Sequence, residues 1–372
     1  GNAAPVPEVI ANLELHVWTP ISDNPLADVD PCPDRDCGYS AVEGQSAVLY
    51  DWTGGAFARA EGDHGGLVYY GGGHNGYYGN EVYLFDIGTL RWSRASEPTV
   101  GQTPGDSTTF DLDPDTCLYY DGHPVAFHTY DSVAYIPTTR RFFLSALGDV
   151  TSSPPGSATG CSNGQGMMYD FAAGDWVAVG DEIPVSAKYV PSAYDGARDA
   201  VWVWSQSSPW PLQQYDVQTD TWIEHAGDYL SSIDAVGAID PVRDLLVVCE
   251  FRSGHDVLVK DLANPDAPAV TVTTAGDTEI QQHGQVGFEW MPSLGQFVAW
   301  HGGSEMYLLK PPTANWTSDT WQWTKVDLTG TPPTEPMNGP YSKFQVAPAL
   351  GIALVATKRD EPVHAVRLVA AD

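Results

Sequence analysis

Hydrophobic and polar positions along the chain come in short bursts of two kinds. The first kind is a short apolar strand, a Pro/Asp/Gly turn and a more apolar strand. It appears as SAVLYDW from Ser46, DSVAYIPTTRRFFL from Asp131, PSAYDGARDAVWVW from Pro191, DAVGAIDPVRDLLVV from Asp234, VGFEWMPSLGQFVAW from Val286 and FQVAPALGIALVA from Phe344. Each predicts a hairpin. The second kind aligns without gaps as FDIGTLRW (Phe85 to Trp92), YDFAAGDW (Tyr169 to Trp176) and YDVQTDTW (Tyr215 to Trp222), with a weaker copy, SDTWQW, ending at Trp323. An aromatic-Asp pair, a polar turn and a Trp predict a strand, a tight turn and an outer strand that opens with Trp.

No stretch carries convincing helical periodicity. The two kinds combine into a four-stranded unit repeated along the chain, which predicts an all-β fold: a single β-propeller domain spanning residues 1–372. Six units are countable, and a seventh has room in residues 19–43 or 98–127. The last unit, residues 341–370, lacks an outer strand. The N-terminal strand Leu13–Trp18 (LELHVW) is expected to supply it and close the ring. A β-sandwich is the structural alternative.

Composition narrows the picture. The 372 residues include 13 Trp and 18 Tyr and are 42% hydrophobic, so the chain is not disordered. Only 17% are charged, which excludes a coiled coil. No apolar run approaches the roughly 18 residues of a membrane span, and no basic segment with an apolar run opens the chain. A formal net charge of −31 excludes nucleic acid and anionic membranes as partners. Among five cysteines, Cys32–Cys37 and Cys117–Cys161 are expected disulfides, and Cys249 reads as a buried free thiol. Disulfides predict a secreted or periplasmic protein, and a monomer is expected.

The segment VYYGGGHNGYYGNEVYLFDIGTLRW (Val68 to Trp92) resembles a kelch-type blade. GGGHN, ending at Asn75, followed by HTYDSVAYIP from His128, resembles the bacterial propeller polysaccharide lyases, the ulvan lyases in particular. Kelch-type blades also occur in galactose-oxidase-like copper enzymes and in binding proteins, so fold alone leaves function open.

In a propeller the starts of the innermost strands and the ends of the second strands share one mouth. Those slots hold His74, Asn75, His128, Tyr130, Lys188, Tyr189, Arg252, His301, Tyr341, Lys343 and Arg359, together with Lys358. Five of only 17 Lys and Arg fall there, which predicts a cationic, anion-binding mouth. The alternative is that these cations pair with nearby Asp and Glu. Cations, His and Tyr together suit β-elimination from a uronate: the carboxylate is neutralised, a base removes the C5 proton and an acid protonates the departing O4.

The resemblance to ulvan lyases implies the same constellation. His74 or His128 is the expected base, Tyr189 the acid beside Lys188, and Arg252 the carboxylate neutraliser. Asn75, Tyr130, His301, Tyr341, Lys343 and Arg359 are expected substrate contacts. One departure is that the family's acid Tyr and neutralising Arg share a blade, whereas the blade opening at Tyr189 ends in WSQSS without a cation.

The expected activity is therefore that of a lyase of an anionic, uronate-containing polysaccharide. A non-catalytic glycan-binding propeller and a galactose-oxidase-like copper enzyme are the alternatives, and the last needs a Tyr–Cys crosslink for which only Cys249 is available. No cofactor is expected. A structural calcium is left open at DLDPD (Asp111 to Asp115), which alternates like a calcium loop but lacks its Gly and Glu.

Overall fold

The computed structural model describes residues 4–370 apart from 74–75, 101–112, 114–115, 117, 146–165, 181–182, 184–189, 207 and 231–233. Within them, six sheets, antiparallel apart from one added parallel edge strand in each of two, form a six-bladed β-propeller. Blade 1 comprises Gly54–Phe57, Gly66–Tyr70, Tyr83–Asp86 and Arg91–Arg94, and blade 2 Val133–Ile136, Arg141–Leu144, Met167–Asp170 and Asp175–Ala178. Blade 3 runs through Ser192–Asp195, Ala200–Trp204, Leu212–Asp216 and Thr221–His225, and blade 4 through Val236–Asp240, Leu245–Glu250, Asp256–Asp261 and Val270–Thr271. Blade 5 has Gly287–Met291, Gln296–Trp300, Glu305–Lys310 and Trp321–Asp327, edged by the parallel strand Thr274–Gly276.

Blade 6 has only Gln345–Ala347, Ile352–Val355 and His364–Arg367 from the C-terminal end. Val17–Pro20 completes it, with Thr19 opposite Ala365 and Pro20 opposite His364. The closing strand thus lies four residues beyond the expected Leu13 start. Arg367, buried, holds what precedes it by donating to the carbonyls of Leu13 (2.9 Å) and Ile10 (2.8 Å).

The aromatic-Asp…Trp repeat has a local cause. Asp86, Asp170 and Asp216 each accept from backbone N–H groups two or three residues on, which folds the turn. Leu90, Gly174 and Asp220 then take φ of 56°, 70° and 55°, the left-handed step that completes a four-residue hairpin loop. The register sets Trp92, Trp176 and Trp222 opposite Phe85, Tyr169 and Tyr215, with ring centroids 5.3, 5.4 and 5.3 Å apart. Such pairs each add about 0.5–1.5 kcal/mol beyond burial.

One expected hairpin is absent. SAVLYDW forms a helical turn, Ala47–Tyr50, whose Ala47, Val48 and Leu49 are buried. Residues 21–46 supply no seventh blade. Their 3-10 turns cover the edge strand of blade 1 instead: Trp92 N donates to Asn24 Oδ1 and Arg94 Nη1 to the Val29 carbonyl.

Charged side chains tie neighbouring blades on the face opposite the mouth. Arg198 grips Asp244 with two bonds of 2.6 Å, and Arg140 grips the buried Glu61 at 3.0 and 2.6 Å. Cys32–Cys37 is a disulfide, Cys249 is a buried free thiol, and the proposed Cys117–Cys161 pair lies outside the described residues. Among the described residues no helix is long and apolar enough to cross a membrane.

Candidate functional site

The innermost strands surround a channel of about 330 Å³, lined by Gly55, Asp131, Ser192, Gly237, Glu289 and Gln345 among others. Small residues are needed there. A Cβ on Gly54 would collide with the Tyr130 carbonyl, and one on Gly237 would lie 2.9 Å from Pro191 Cβ. Asp131 accepts from Gly237 N at 2.7 Å, and Gln345 donates to Glu289 at 2.6 Å. Burial drives the Asp131 carboxyl far above its usual range and pushes Glu289 up to about 8.

Above the channel, the segments leading into the innermost strands are stitched together. Tyr130 N donates to the Trp52 carbonyl (2.7 Å), Gly54 N to Thr129 Oγ1 (2.7 Å) and Ser342 Oγ to the Tyr130 carbonyl (3.2 Å). An aromatic row follows: Trp52 to His128 at 4.9 Å, His128 to Tyr130 at 6.0 Å and Tyr130 to Tyr341 at 5.4 Å between ring centroids. Trp52, Tyr130 and Tyr341 have φ of 27°, 48° and 43°. Bulky residues rarely adopt this region, which costs about 1–2 kcal/mol each, and such strain marks functional sites.

The row ends at an acid. Tyr341 Oη donates to Asp234 Oδ1 at 2.5 Å, and Arg252 Nη1 donates to Asp234 Oδ2 at 2.6 Å. Asp234 is fully buried, while the Arg252 side chain is 53% exposed. One guanidinium nitrogen is therefore anchored, and the side chain is about half open to solvent. Burial, then the Asp234 charge, drives the Tyr341 hydroxyl far above its ordinary range, so it keeps its proton.

On the far side of Arg252 stands a second aromatic pair. A Cβ on Gly284 would lie 3.2 Å from Arg252 Cβ, and the preceding His283 stacks on His301 with centroids 3.7 Å apart and planes 7° apart. Burial and then His283 lower the pKa of His301, which disfavours the charged form of that ring.

The structure thus brings His128, Tyr130, Arg252, His301 and Tyr341 to one mouth. It corrects three expectations about the cations and Tyr341. Tyr341 is sealed, and its hydroxyl is spent on Asp234. Lys343 is fully buried: its ammonium donates to Thr53 O (2.6 Å) and Thr53 Oγ1 (3.2 Å), and burial lowers it to about 7 despite Asp51. Arg359 is bound to the buried Asp30 at 2.8 Å, against the segment that covers blade 1.

Lys358 pairs with Glu361 at 3.5 Å. The broad cationic mouth therefore reduces to one half-exposed guanidinium among the described residues. His74, Asn75, Lys188, Tyr189 and the Asp111–Asp115 loop lie outside the described residues.

Sequence reasoning missed Trp52, Asp234 and His283. Asp234 occupies an inner-strand slot that the repeat alignment already defines, and a search for cations passes over it.

No protein-family model matches this chain, and no curated protein matches it. Among solved structures it is similar to a structural-genomics protein of unknown function from Bacteroides thetaiotaomicron VPI-5482. The two share 12% identity with a TM-score of 0.49, over 94% of this chain and 74% of that one.

Proposed function

We propose that the chain is a secreted or periplasmic polysaccharide lyase that cleaves a uronate-containing anionic polysaccharide by β-elimination at this mouth, without a cofactor. The observation that carries the reading is Arg252, held through Nη1 by buried Asp234 and half open to solvent. A guanidinium fixed this way can present its remaining N–H groups to a sugar carboxylate. Neutralising that carboxylate acidifies C5–H and stabilises the enediolate.

His128 takes the C5 proton. The C4–O4 bond then breaks, its electrons leave with O4, and the former C5–H pair becomes the C4–C5 double bond. A tyrosine returns a proton to O4, and Tyr130, whose ring lies beside His128, fills that role among the described residues. The Cys32–Cys37 disulfide supports an oxidising compartment.

A non-catalytic glycan-binding propeller is the second reading, favoured by the depth of His128, which is 4% exposed. The copper-enzyme alternative is not carried forward, because its crosslink needs a cysteine at the mouth, and Cys249 is buried in the second strand of blade 4, opposite Val236 and Val257 in the register.

The test is the ultraviolet absorbance of the new double bond on ulvan, alginate, pectin, glucuronan and glycosaminoglycans. One substrate is expected to give a rise that falls about 100-fold or more in His128→Ala and is lost in Arg252→Ala. No rise on any substrate, with binding retained, replaces the lyase by the binding module.

A further inference from the structure

The mouth face carries an exposed aromatic pair that the reaction above does not use. Trp210 lies in the loop between the second and third strands of blade 3, and Tyr229 in the segment that leads from the outer strand of blade 3 to Asp234. Their rings meet edge to face, with centroids 5.3 Å apart and planes at 87°. Tyr229 is 62% exposed and Trp210 is partly exposed.

Exposed aromatics on a loose loop mean little, but these are held. Ser205 N donates to the Pro211 carbonyl at 2.9 Å, which closes the Trp210 loop. Trp210 itself has φ 58°. A Cβ on Gly227 would strike the Trp210 carbonyl, so the two segments touch backbone to backbone, as only glycine permits.

Below Tyr229, fully buried Lys260 donates to the carbonyls of Ala226 (2.9 Å), Pro265 (3.4 Å) and Ala267 (2.7 Å), and pairs with Asp228 at 3.0 Å. Asp228 in turn accepts from Ala269 N at 2.8 Å, its carbonyl accepts from Trp204 Nε1 at 2.9 Å, and Leu230 is buried.

We infer that Trp210 and Tyr229 form a stacking subsite for a sugar ring of the polysaccharide, extending the mouth outward over the boundary of blades 3 and 4. This rests on the glycan reading of the mouth. In this edge-to-face pair each ring keeps one flat apolar face of its own, with the Tyr229 hydroxyl beside it, and a single such face matches the C–H face and hydroxyl rim of a pyranose. Preordering by Lys260 and Gly227 removes the entropy that a mobile aromatic would lose on binding. Tyr229 precedes Asp234, the anchor of Arg252, by five residues in sequence, which puts the platform beside the mouth on the side of blades 3 and 4. Lys260 neutralises Asp228, while the exposed Asp266 accepts from Ala226 N at 2.9 Å, so the rings supply the sugar contact and Arg252 the contact to acidic groups.

The experiment is affinity electrophoresis in native gels cast with ulvan, alginate, polygalacturonate, glucuronan or hyaluronan, run beside the absorbance assay. The proteins are wild type, Trp210→Ala, Tyr229→Ala and Arg252→Ala, each checked for fold by circular dichroism. One polysaccharide is expected to retard the wild type, with apparent affinity about tenfold weaker in Tyr229→Ala and in Trp210→Ala.

Retardation that depends on Tyr229, without cleavage of any substrate, removes the lyase and keeps the subsite. Cleavage with unchanged retardation in both aromatic variants overturns the subsite and keeps the lyase. Retardation by no polysaccharide overturns it as well. So does a change in sedimentation of the aromatic variants with glycan affinity intact, which would make the pair a protein contact.

Discussion

Lys260→Met tests a fully buried ammonium that is bonded to three carbonyls and a carboxylate. Methionine nearly matches the lysine stem in volume but brings no donor. Three carbonyls within 2.7–3.4 Å of the ammonium would lose their partner, and Asp228 would lose its counter-ion. Leaving buried acceptors unpaired costs about 1–3 kcal/mol each when solvent cannot replace the donor, and breaking a buried ion pair costs about 3–5 kcal/mol.

The Asp228 side chain is 36% exposed and keeps its bond from Ala269 N, so its share is screened. A net loss of about 3 kcal/mol is the working figure. Unfolding entropy scales to roughly 0.8 kcal/mol/K for a chain of this length, so the melting temperature should fall by about 4 °C. Calorimetry reads that shift. Hydrogen exchange should show faster opening of residues 226–230, and polysaccharide affinity should fall with it. A drop below about 1 °C with unchanged exchange would refute the claim that the lysine pins this segment.

Three further outcomes are expected. Asp234→Asn puts an amide donor against a guanidinium or a phenol, so it should lower stability by about 1–2 kcal/mol, discounted for Arg252 exposure, and cut activity or glycan binding at least tenfold; melting and affinity curves check both. Glu289 has a folded pKa of about 8, above its unfolded value, so the folded state holds the extra proton and its stability contribution is lost as pH rises from about 4.5 to 8. Melting temperature should therefore rise as pH falls from 8 to 5, and Glu289→Gln should flatten the profile by about 1–2 kcal/mol, discounted because Glu289 lines the channel and is only partly buried. Arg367→Met removes the donors to Ile10, Leu13 and Leu350, costing about 2–4 kcal/mol in calorimetry and loosening the closing strand in hydrogen exchange.

What could be read from the sequence was what is local. The Asp-capped turn and its cross-strand Trp lie within eight residues, so their spacing alone announced the blades and even their outer edge. The missing outer strand of blade 6 was legible for the same reason, although its supplier begins at Val17 rather than Leu13. The charges were not legible, because their partners are remote. Arg359 meets Asp30 across 329 residues and Lys343 meets Thr53 across 290, so a list of cations in mouth slots could not show that most were already matched. SAVLYDW misled because a run of small and branched apolar residues buries equally well as a helical turn or as a strand.

The strand that completes blade 6 has a consequence for how the molecule is made. Val17–Pro20 precedes all the other blade strands in the sequence and His364–Arg367 follows them, so this edge waits unpaired until every blade between the two has been made. Closing a loop that long is entropically slow, and the rate of assembly is set by a single long-range docking event rather than by any blade. A circular permutant opened in a loop between two other blades, with the present ends joined by a flexible linker, turns that docking into a hairpin-like local step. It should keep the same ring and refold faster.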